Sequence, residues 1–390
     1  MAMMRYVISY LKSNLLVQLA LGYVFVASGL IVNFLMLCSC VIWPFNRHLY
    51  RKINTYLAYS HWSQVTFLAQ WWSGTELVLY IKPEDLKYLG KEHALALLNH
   101  TYDIDWVMTW IMSERFACLG NTKVFSKKSL LYVPLIGWAW YFTETIFLKR
   151  QWDHDKNSIR RDLQRTLDFP KGYYVTLLLY PEGTRFTEKK HQASLEVCRA
   201  KGYPELKHML LPRPKGFAVT VHGLKGHFQS IFNCTVGFEN DGLAPTLKNI
   251  LNGKPLVGHF HIERIPLEEV PSETEEESAV YLRELFKRKD DLFETFLQTG
   301  RFTGPSHHIP RRVNDLLMFL FWAVLLCIPL FYYIVGLFAA GSLIQQLIVV
   351  AVVAVASYIV KLMIGVTEID KNSEYGTGAS TSTNGVKKSQ

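Results

Sequence analysis

Residues 94–105 read Ala-Leu-Ala-Leu-Leu-Asn-His-Thr-Tyr-Asp-Ile-Asp and decide how the middle of the chain folds. The apolar run at 94–98 predicts a buried strand, and a helical pattern follows at 105–115. His100 and Asp105 stand five residues apart across this change of pattern. On one continuous helix, five residues turn through about 500°, so the two side chains would face apart. They can meet only if His100 lies in the turn after the strand and Asp105 lies in the first helical turn.

A histidine next to a carboxylate suits proton transfer, but it also has a plain structural explanation. An imidazole that is held by a carboxylate at one ring nitrogen has a fixed tautomer and a more basic second nitrogen. The alternative is a polar turn in which Asp103 caps the helix that holds Asp105. The pattern alone favours the turn, so the rest of the chain has to decide.

Other apolar runs predict further strands. They lie at residues 76–81, 173–180, 217–221 and 234–238. A helical pattern at 153–168 carries Ile159, Leu163 and Leu167 four residues apart on one face. Because strands alternate with helices, we expect residues 43–310 to form one α/β domain with a largely parallel or mixed sheet.

The uncharged stretches at the two ends predict membrane anchors. No charged residue occurs at 14–46 or at 316–360. A bilayer span needs roughly 20 apolar residues. The predicted spans are therefore 15–42, 316–338 and 343–363. They leave an amino-terminal segment at 1–14 and a tail at 364–390.

Lysines and arginines set the expected orientation. Arg47, Arg51 and Lys52 follow the first span, two cations precede it, and Arg311 and Arg312 precede the second span. Such residues collect on the cytosolic side of a membrane. The 43–310 domain and the tail are therefore expected in the cytosol, and the 1–14 segment in the lumen.

Two further segments bear on membranes. Residues 132–148 are aromatic and nearly uncharged, and we expect them to pack in the domain and dip into the membrane surface, with a true span as the alternative. The tail is rich in Gly, Ser and Thr from residue 373, which predicts disorder. Its end, Lys387-Lys388-Ser-Gln, is similar to the dilysine signal that coat proteins recognise in endoplasmic-reticulum membrane proteins.

A helical pattern near the end of the domain predicts a helix that packs on the core. Its apolar side carries Leu282, Leu285, Phe286, Phe293 and Phe296. The cationic run at 287–289, Lys-Arg-Lys, is expected to touch lipid headgroups.

Composition excludes several classes of protein. The net charge of +9 suits anionic lipid and an anionic substrate, and no nucleic-acid-binding module accompanies it. The six cysteines form no C-x-x-C pair, which fits reduced thiols rather than a disulfide framework or a zinc site. His259-Phe260-His261 lacks a companion set of ligands, and we interpret it as strand alternation. No G-x-S-x-G elbow of a serine hydrolase is present.

Three more segments carry polar or cationic residues at the ends of apolar runs. Residues 181–185, Pro-Glu-Gly-Thr-Arg, follow the 173–180 run directly. A glycine turn there exposes backbone N–H groups, and an arginine beside it can bind a phosphate with two hydrogen bonds. Residues 147–150, Phe-Leu-Lys-Arg, and 211–216, Leu-Pro-Arg-Pro-Lys-Gly, also present cations. Each segment alone is equally explained as a turn, a positive flank or a loop.

The joint order of these blocks resembles a known family. Asn-His-x4-Asp, Phe-x-x-Arg, Glu-Gly-Thr-Arg and a hydrophobic-proline block follow one another, as in the glycerolipid acyltransferases of the lysophosphatidic acid acyltransferase type. Segments outside the blocks are similar to the gamma/delta subgroup of 1-acylglycerol-3-phosphate acyltransferases, namely 62–64, 71–73, 90–94, 131–138 and 365–369. The likeness covers nearly the whole chain. One departure is Glu144, where many relatives have glycine.

The resemblance implies a glycerol-3-phosphate acyltransferase-like α/β domain with transmembrane helices at both ends. Such a protein would transfer a fatty acyl group from acyl-CoA to the sn-2 hydroxyl of lysophosphatidic acid, a step in phospholipid biosynthesis that gives phosphatidic acid and CoA. His100 would be the general base, and Asp105 would orient it. Acyl-CoA is a co-substrate, so neither a metal nor a cofactor is expected. The implied location is the endoplasmic-reticulum membrane, multi-pass, with the Golgi and nuclear envelope as alternatives.

The resemblance also implies a set of substrate-binding residues. They are Phe147, Arg150, Glu182, Gly183, Thr184, Arg185 and Pro212. Arg185 would bind the phosphate of the acceptor, with Gly183 giving backbone access and Glu182 positioning the loop. Arg150 would help to bind the acceptor, and Pro212 would shape the acyl-CoA side.

Two alternatives stay open at this point. One is a sister acyltransferase that remodels another lysophospholipid, such as lysophosphatidylinositol or a lysocardiolipin. The other is a non-catalytic protein that shapes membranes through its spans and basic tail. The intact His100, Asp105, Gly183 and Arg185 argue against the second, whereas no residue separates the possible acceptors.

Overall fold

The helices and strands follow the hydrophobic pattern of the chain. A computed structural model describes residues 10–149, 152–240 and 242–367. Its strands are β1 (Glu76–Tyr80), β2 (Ala94–Leu98), β3 (Thr122–Lys127), β4 (Ile146–Leu148), β5 (Thr176–Leu179), β6 (Ser230–Phe238), β7 (Val257–Pro266) and β8 (Ser306–His307). Its helices are α1 (Leu15–Ser39), α2 (Arg47–Phe67), α3 (Asp105–Arg115), α4 (Ile136–Phe142), α5 (Trp152–Leu167), α6 (Glu188–Lys201), α7 (Pro214–Leu224), α8 (Leu247–Leu251), α9 (Glu275–Thr299), α10 (Asn314–Ala340) and α11 (Leu343–Thr367).

Eight strands in the described ranges form one mixed sheet, in the order β4-β3-β5-β2-β6-β7-β1-β8. Strands β2 to β6 run parallel to one another, whereas β7 is antiparallel to β6. The predicted α/β fold with a mixed sheet is confirmed. In the pairing of β2 with β5, Leu97 lies opposite Leu179, so the carboxyl ends of these strands meet at one edge. The loops that follow them therefore meet as well.

The central strand β2 is buried on both faces, which explains its continuous apolar run. Leu95 and Leu97 pack on one side with α5, α7 and α9. Ala94, Ala96 and Leu98 pack on the other side with α3. The predicted apolar side of α9 is likewise buried against the sheet. The core thus holds the two ends of the 94–105 segment in fixed positions.

Two predicted elements differ from the structure. Residues 217–221 lie in α7 and not in a strand. Phe217, Val221 and Leu224 recur at helical spacing and face the core, and Pro214 stands at the first helical turn, where it is favoured. Residues 173–175 precede β5, because Tyr173 is held in a turn by a bond from its N–H to Pro170 O of 3.0 Å.

The helices at the two ends pack together against α2. Val32 and Met36 of α1 are buried with Trp62 of α2 and Trp322 of α10. The rings of Phe67 and Phe319 stack with centroids 3.8 Å apart. Asp315 at the start of α10 is buried, and it accepts hydrogen bonds from Gln70 Nε2 at 2.9 Å and from Trp71 Nε1 at 2.8 Å. These contacts fix the terminal helices to the α/β domain.

Helices α1 and α10 are long and apolar enough to cross a membrane. The exposed side chains of α10 are apolar, for example Phe321, Ile328, Phe331 and Tyr332. The helices differ from the predicted spans at their ends: α1 stops at Ser39, α10 covers 314–340, and α11 covers 343–367. The first four residues of the predicted tail are therefore helical. The rest of the tail, with Lys387 and Lys388, and residues 1–9 lie outside the described residues.

The 132–148 segment is divided between two elements. It contains α4, which has seven residues, and β4, which forms an edge of the sheet. A helix of this length rises only about 10 Å, which is far less than the roughly 30 Å of a bilayer core. The segment therefore forms no single spanning helix. Tyr132, Trp138 and Tyr141 are exposed, and contact of this segment with a membrane surface stays a prediction.

Candidate active site

The His100–Asp105 contact forms as the spacing predicts. His100 lies in the turn after β2, and Asp105 is the first residue of α3. His100 Nδ1 lies 2.8 Å from Asp105 Oδ2. The Asp105 side chain is fully buried, whereas 17% of the His100 side chain is exposed. Because an ionised carboxylate only accepts hydrogen bonds, Nδ1 donates and Nε2 is left as the basic nitrogen.

The start of α3 differs from the predicted cap. Ile104 stands at the N-cap position, and no side chain caps the helix there. Asp103 instead places Oδ1 3.9 Å from Arg185 Nη1. Asp105 occupies the first turn, where the helix dipole stabilises a negative charge. The capping prediction for Asp103 is wrong, because its carboxylate lies beside the arginine of the 181–185 loop.

The loop after β5 holds His100 through its backbone. His100 N donates to Glu182 Oε1 at 2.7 Å, and Phe186 N donates to His100 O at 2.7 Å. The Tyr180 ring stacks on the imidazole with centroids 4.1 Å apart. Burial raises the pKa of Tyr180 well above its ordinary value, so its phenol stays neutral. The position of the imidazole is thus set from three directions, by Asp105, by the Tyr180 ring and by two backbone bonds.

Glu182 is a buried carboxylate that connects three loops. Its second oxygen, Oε2, accepts a hydrogen bond from Leu210 N at 3.1 Å, in the segment before α7. Burial raises the pKa of Glu182 to about 7, although the N–H groups of Leu210 and His100 act in the opposite direction. The segments after β2, after β5 and before α7 are therefore joined at one side chain.

Lys289 is a buried cation whose position the sequence reasoning missed. Its ammonium donates to Leu97 O at 3.0 Å and to Cys234 O at 2.6 Å, on neighbouring strands β2 and β6. Burial lowers the pKa of Lys289 to about 8. Contact of Lys289 with lipid headgroups is therefore a wrong prediction. The missed signal is the spacing, because position 289 continues the buried series 282, 286, 293 and 296 on α9.

The residues of the Gly183-Thr184-Arg185 turn have different surroundings: some are held within the loop and others line a cavity. Gly183 has φ +70°, and a Cβ there would lie 3.1 Å from Arg213 Cδ, so glycine suits both the turn and this close approach. Thr184 is held inside the loop, where its Oγ1 accepts from Lys190 Nζ at 3.1 Å. The Arg185 side chain is 26% exposed and lines the cavity described below.

The Phe147 block is described only in part. Phe147 lies in β4, and Arg150 falls outside the described residues. Glu144 has φ +60°, a left-handed backbone conformation that glycine adopts without strain. In this chain Arg51 donates to both Glu144 carboxylate oxygens, at 2.7 Å and 3.1 Å. This buried ion pair offsets the cost of the left-handed backbone.

His100 opens onto a cavity of about 1620 Å³, larger than the roughly 300–1,000 Å³ of ordinary ligand pockets. Gly183, Arg185 and Pro212 line it too. Apolar side chains from α1 to α4 form one part of the wall: Phe25, Trp62, Val65, Trp106, Trp110 and Trp140. Cations form other parts: Lys127, Arg185, Lys201, Arg213, Lys215 and Arg283. The cavity therefore suits a ligand with an apolar chain and anionic groups.

No cluster of three or more His, Cys, Asp or Glu side chains suited to a metal occurs in the described ranges. His259 lies in β7, with Nδ1 2.9 Å from Tyr80 Oη and Nε2 3.2 Å from Glu239 Oε1. Both ring nitrogens of His259 thus have partners within the protein.

Comparison with known proteins identifies the family. Residues 80–228 match the family model described as acyltransferase, and residues 249–322 match the one described as acyltransferase C-terminus. The chain is 46% identical over 369 residues to 1-acyl-sn-glycerol-3-phosphate acyltransferase delta of Bos taurus, covering 95% of this chain and 97% of that protein. The chain belongs to this acyltransferase family. With the gamma proteins of Mus musculus and Homo sapiens it shares 46% and 45% identity, over the same proportions of each chain.

The acyltransferase has its candidate site inside the matched residues. His100, Asp105, the 181–185 loop and Pro212 fall within 80–228, and Lys289 falls within 249–322. The expected family and its α/β fold with apolar helices at both ends are confirmed. The assignment of individual residues to chemical steps rests on the geometry above.

Glu182→Gln tests whether this carboxyl is protonated when folded. Its pKa is raised from the ordinary 4.5 to about 7, so between these values the folded state holds a proton that the unfolded chain has lost. The free energy of unfolding of the wild type should therefore fall as the pH rises from 4.5 to 7, by on the order of 3 kcal/mol. The Gln variant should lack this part of the slope. Tm in detergent micelles across this pH range measures it.

Glu196→Gln is the matched control, because Glu196 lies exposed on α6. This control should keep the wild-type dependence of Tm on pH. Parallel profiles for wild type and Glu182→Gln would show that folding does not raise the pKa of Glu182.

Proposed function

We propose that the acyltransferase transfers a fatty acyl group from acyl-CoA to the sn-2 hydroxyl of lysophosphatidic acid. The observation that carries this proposal is the 2.8 Å contact of His100 with buried Asp105, at the wall of a cavity that has both aromatic and cationic surfaces. The relatives support this choice of acceptor, because they are named 1-acyl-sn-glycerol-3-phosphate acyltransferases. The reaction gives phosphatidic acid and CoA.

In the proposed reaction, His100 moves one proton from acceptor to leaving group. Nε2 takes the proton of the sn-2 hydroxyl while its oxygen attacks the thioester carbonyl carbon. The new C–O bond forms, the C–S bond breaks, and the imidazolium returns the proton to the CoA sulfur. Asp105 stabilises the imidazolium between these steps and keeps Nδ1 as the donor. The thioester is already activated, so the scheme needs neither a metal nor a cofactor.

The aromatic part of the cavity suits the acyl chain. Its wall includes Phe25 of α1, Trp62 of α2, and Trp106 and Trp110 of α3. The rings of Trp62 and Trp110 lie 5.5 Å apart. Burial of each methylene in such a lining contributes about 0.8 kcal/mol. Because α1 is a candidate span, this end of the cavity adjoins the helices that enter the membrane.

The Arg185 side of the cavity suits the acceptor. The Arg185 side chain is partly exposed and lines the same cavity as His100, and the Gly183 turn leaves room for a phosphate to approach the backbone. In this proposal Arg185 binds the phosphate with two hydrogen bonds. Arg150 would add a second cation, and Pro212 would shape the wall on the acyl-CoA side.

His100→Ala should reduce kcat by about 10² to 10⁴ with little change in membrane insertion, because it removes general-base assistance. Asp105→Asn should also reduce kcat strongly, because the amide no longer stabilises the imidazolium. An assay of membrane-bound protein with labelled acyl-CoA and lysophosphatidic acid measures both effects.

His208→Ala is the control for this assay. His208 Nε2 also contacts a carboxylate, Glu294 Oε2 at 2.7 Å, but it does not line the cavity among the described residues. It should keep the wild-type rate. A wild-type rate in His100→Ala would show that the mechanism is wrong.

Arg185→Ala should raise KM for lysophosphatidic acid at least about tenfold, because one charge-assisted bidentate contact is lost. Rates across a panel of lysolipids should become less dependent on the headgroup. Arg199→Ala is the control, since Arg199 is exposed and paired with Glu205. If wild type favours lysophosphatidylinositol or a lysocardiolipin in this panel, the enzyme is a remodelling acyltransferase.

We also propose that the enzyme is a multi-pass protein of the endoplasmic-reticulum membrane, with its site in the cytosol. The candidate spans and the cations beside them support this orientation. Lys387 and Lys388 would then serve as the retrieval signal in the cytosolic tail.

A tag inserted after Ser342 should be protected from protease in sealed microsomes, because the link between α10 and α11 would face the lumen. A tag at the carboxyl end should be digested. The reverse pattern would place His100 in the lumen and refute the proposed orientation.

A further inference from the structure

The cavity extends beyond the four sequence blocks into a lobe between α6, α7 and α9. We call it the α6–α9 lobe, and its wall is formed by Lys201, Tyr203, Lys215, Phe217, Glu276 and Arg283. Residues at the end of α6, at the start of α7 and near the start of α9 build it. Because it is part of the same cavity as His100, a ligand in the lobe can reach the reacting atoms.

Arg283 is the most constrained cation of the α6–α9 lobe. Its guanidinium lies over the Tyr203 ring, 4.2 Å from the centroid, and only 11% of its side chain is exposed. Its Nη2 donates to Glu276 Oε1 at 3.1 Å, but 79% of the Glu276 side chain is exposed. Because the Glu276 carboxylate is largely in solvent, water screens this ion pair, which contributes little and is easily exchanged. A phosphate can therefore replace Glu276, and a planar base can stack beside the guanidinium and phenol.

The start of α7 adds to the attraction for an anion. Residues 214–217 of its first turn line the cavity, and no side chain caps the helix at Arg213. The positive end of the helix dipole therefore faces the same cavity as Lys215. Three cations line this surface, Lys201, Lys215 and Arg283, and only two carboxylates, Glu275 and Glu276. Its charge is therefore positive.

The lobe is connected directly to the loop that holds His100. Arg213 N donates to Pro181 O at 2.8 Å, and the Arg213 side chain passes close to Gly183. Two residues later the chain reaches Lys215 in the first turn of α7. The cations thus run continuously from the reaction centre into the lobe. The aromatic acyl surface lies on the other elements of the cavity, namely α1 to α4.

We propose that the α6–α9 lobe binds the 3′-phosphorylated adenosine diphosphate end of acyl-CoA. This inference rests on the proposed function, because it assigns the anionic end of the donor. The cavity is larger than one small ligand needs. It has room for the thioester at His100, the acyl chain among the tryptophans and the nucleotide in the lobe. Arg283 and Lys215 bind phosphate, and the adenine stacks against Tyr203 and Arg283.

Arg283→Ala tests the assignment. KM for palmitoyl-CoA should rise about tenfold, while kcat and KM for lysophosphatidic acid stay unchanged, because a contact made equally in ground and transition states is lost. In wild type, adenosine 3′,5′-bisphosphate should inhibit competitively with palmitoyl-CoA, and its Ki should rise in the variant. Wild type should prefer palmitoyl-CoA over its 3′-dephospho analogue, and the variant should lose this preference.

Arg288→Ala is the matched control, since Arg288 lies on the same helix with 57% of its side chain exposed and does not line the described cavity. It should keep all wild-type constants. Lys215→Ala is a second test at an exposed residue, where the fold is under little threat. It should raise KM for palmitoyl-CoA in the same way.

Two results would overturn the proposal. One is an unchanged KM for palmitoyl-CoA and an unchanged Ki for adenosine 3′,5′-bisphosphate in both variants. The other is a rise in KM for lysophosphatidic acid alone, which would assign the lobe to the acceptor. Failure of the proposed function is separate, because wild type would then form no product from acyl-CoA at all.

Discussion

The buried carboxylate of Glu182 is the contact on which the candidate site depends. It accepts the N–H of His100 after β2 and the N–H of Leu210 before α7, and it belongs itself to the loop after β5. The parallel pairing of β2 and β5 brings the first and last of these loops together, since Leu97 and Leu179 are opposite each other. Without an acceptor at this point, two buried N–H groups would be unsatisfied, and each would cost about 1–3 kcal/mol.

The charged residues of the site differ in their burial and in what they contact. Asp105 is fully buried and touches the imidazole directly, whereas Lys289 lies behind the strands and holds the carbonyls of Leu97 and Cys234. Lys289 opposes the rise in the pKa of Glu182 that burial causes. The exposed cations are instead at the cavity wall, where anionic substrates can reach them. Buried charge thus positions the reacting group, and exposed charge recruits the ligands.

Local patterns predicted the elements well where one period dominated. The run at 94–98, the helix at 105–115 and the apolar side of α9 follow directly from side-chain spacing. The predictions are wrong where one sequence pattern suits two kinds of structure. The 217–221 run is short and apolar, which suits a strand or a buried helix equally until the preceding proline and the packing on α9 are considered. The local charge pattern at 287–289 does not reveal that Lys289 is buried, because its ammonium is satisfied by two carbonyls from distant strands.

By itself, the sequence determined the class of fold, the terminal apolar helices, and the requirement that His100 lie outside the helix of Asp105. Each follows from local periodicity and from the fixed geometry of a helix. Only the tertiary structure decided which backbone N–H groups donate to Glu182, that Lys289 lies under the strands, and that the cavity continues into the α6–α9 lobe. These features depend on strand order and helix packing, which bring together residues that are 28 to 192 positions apart in the chain.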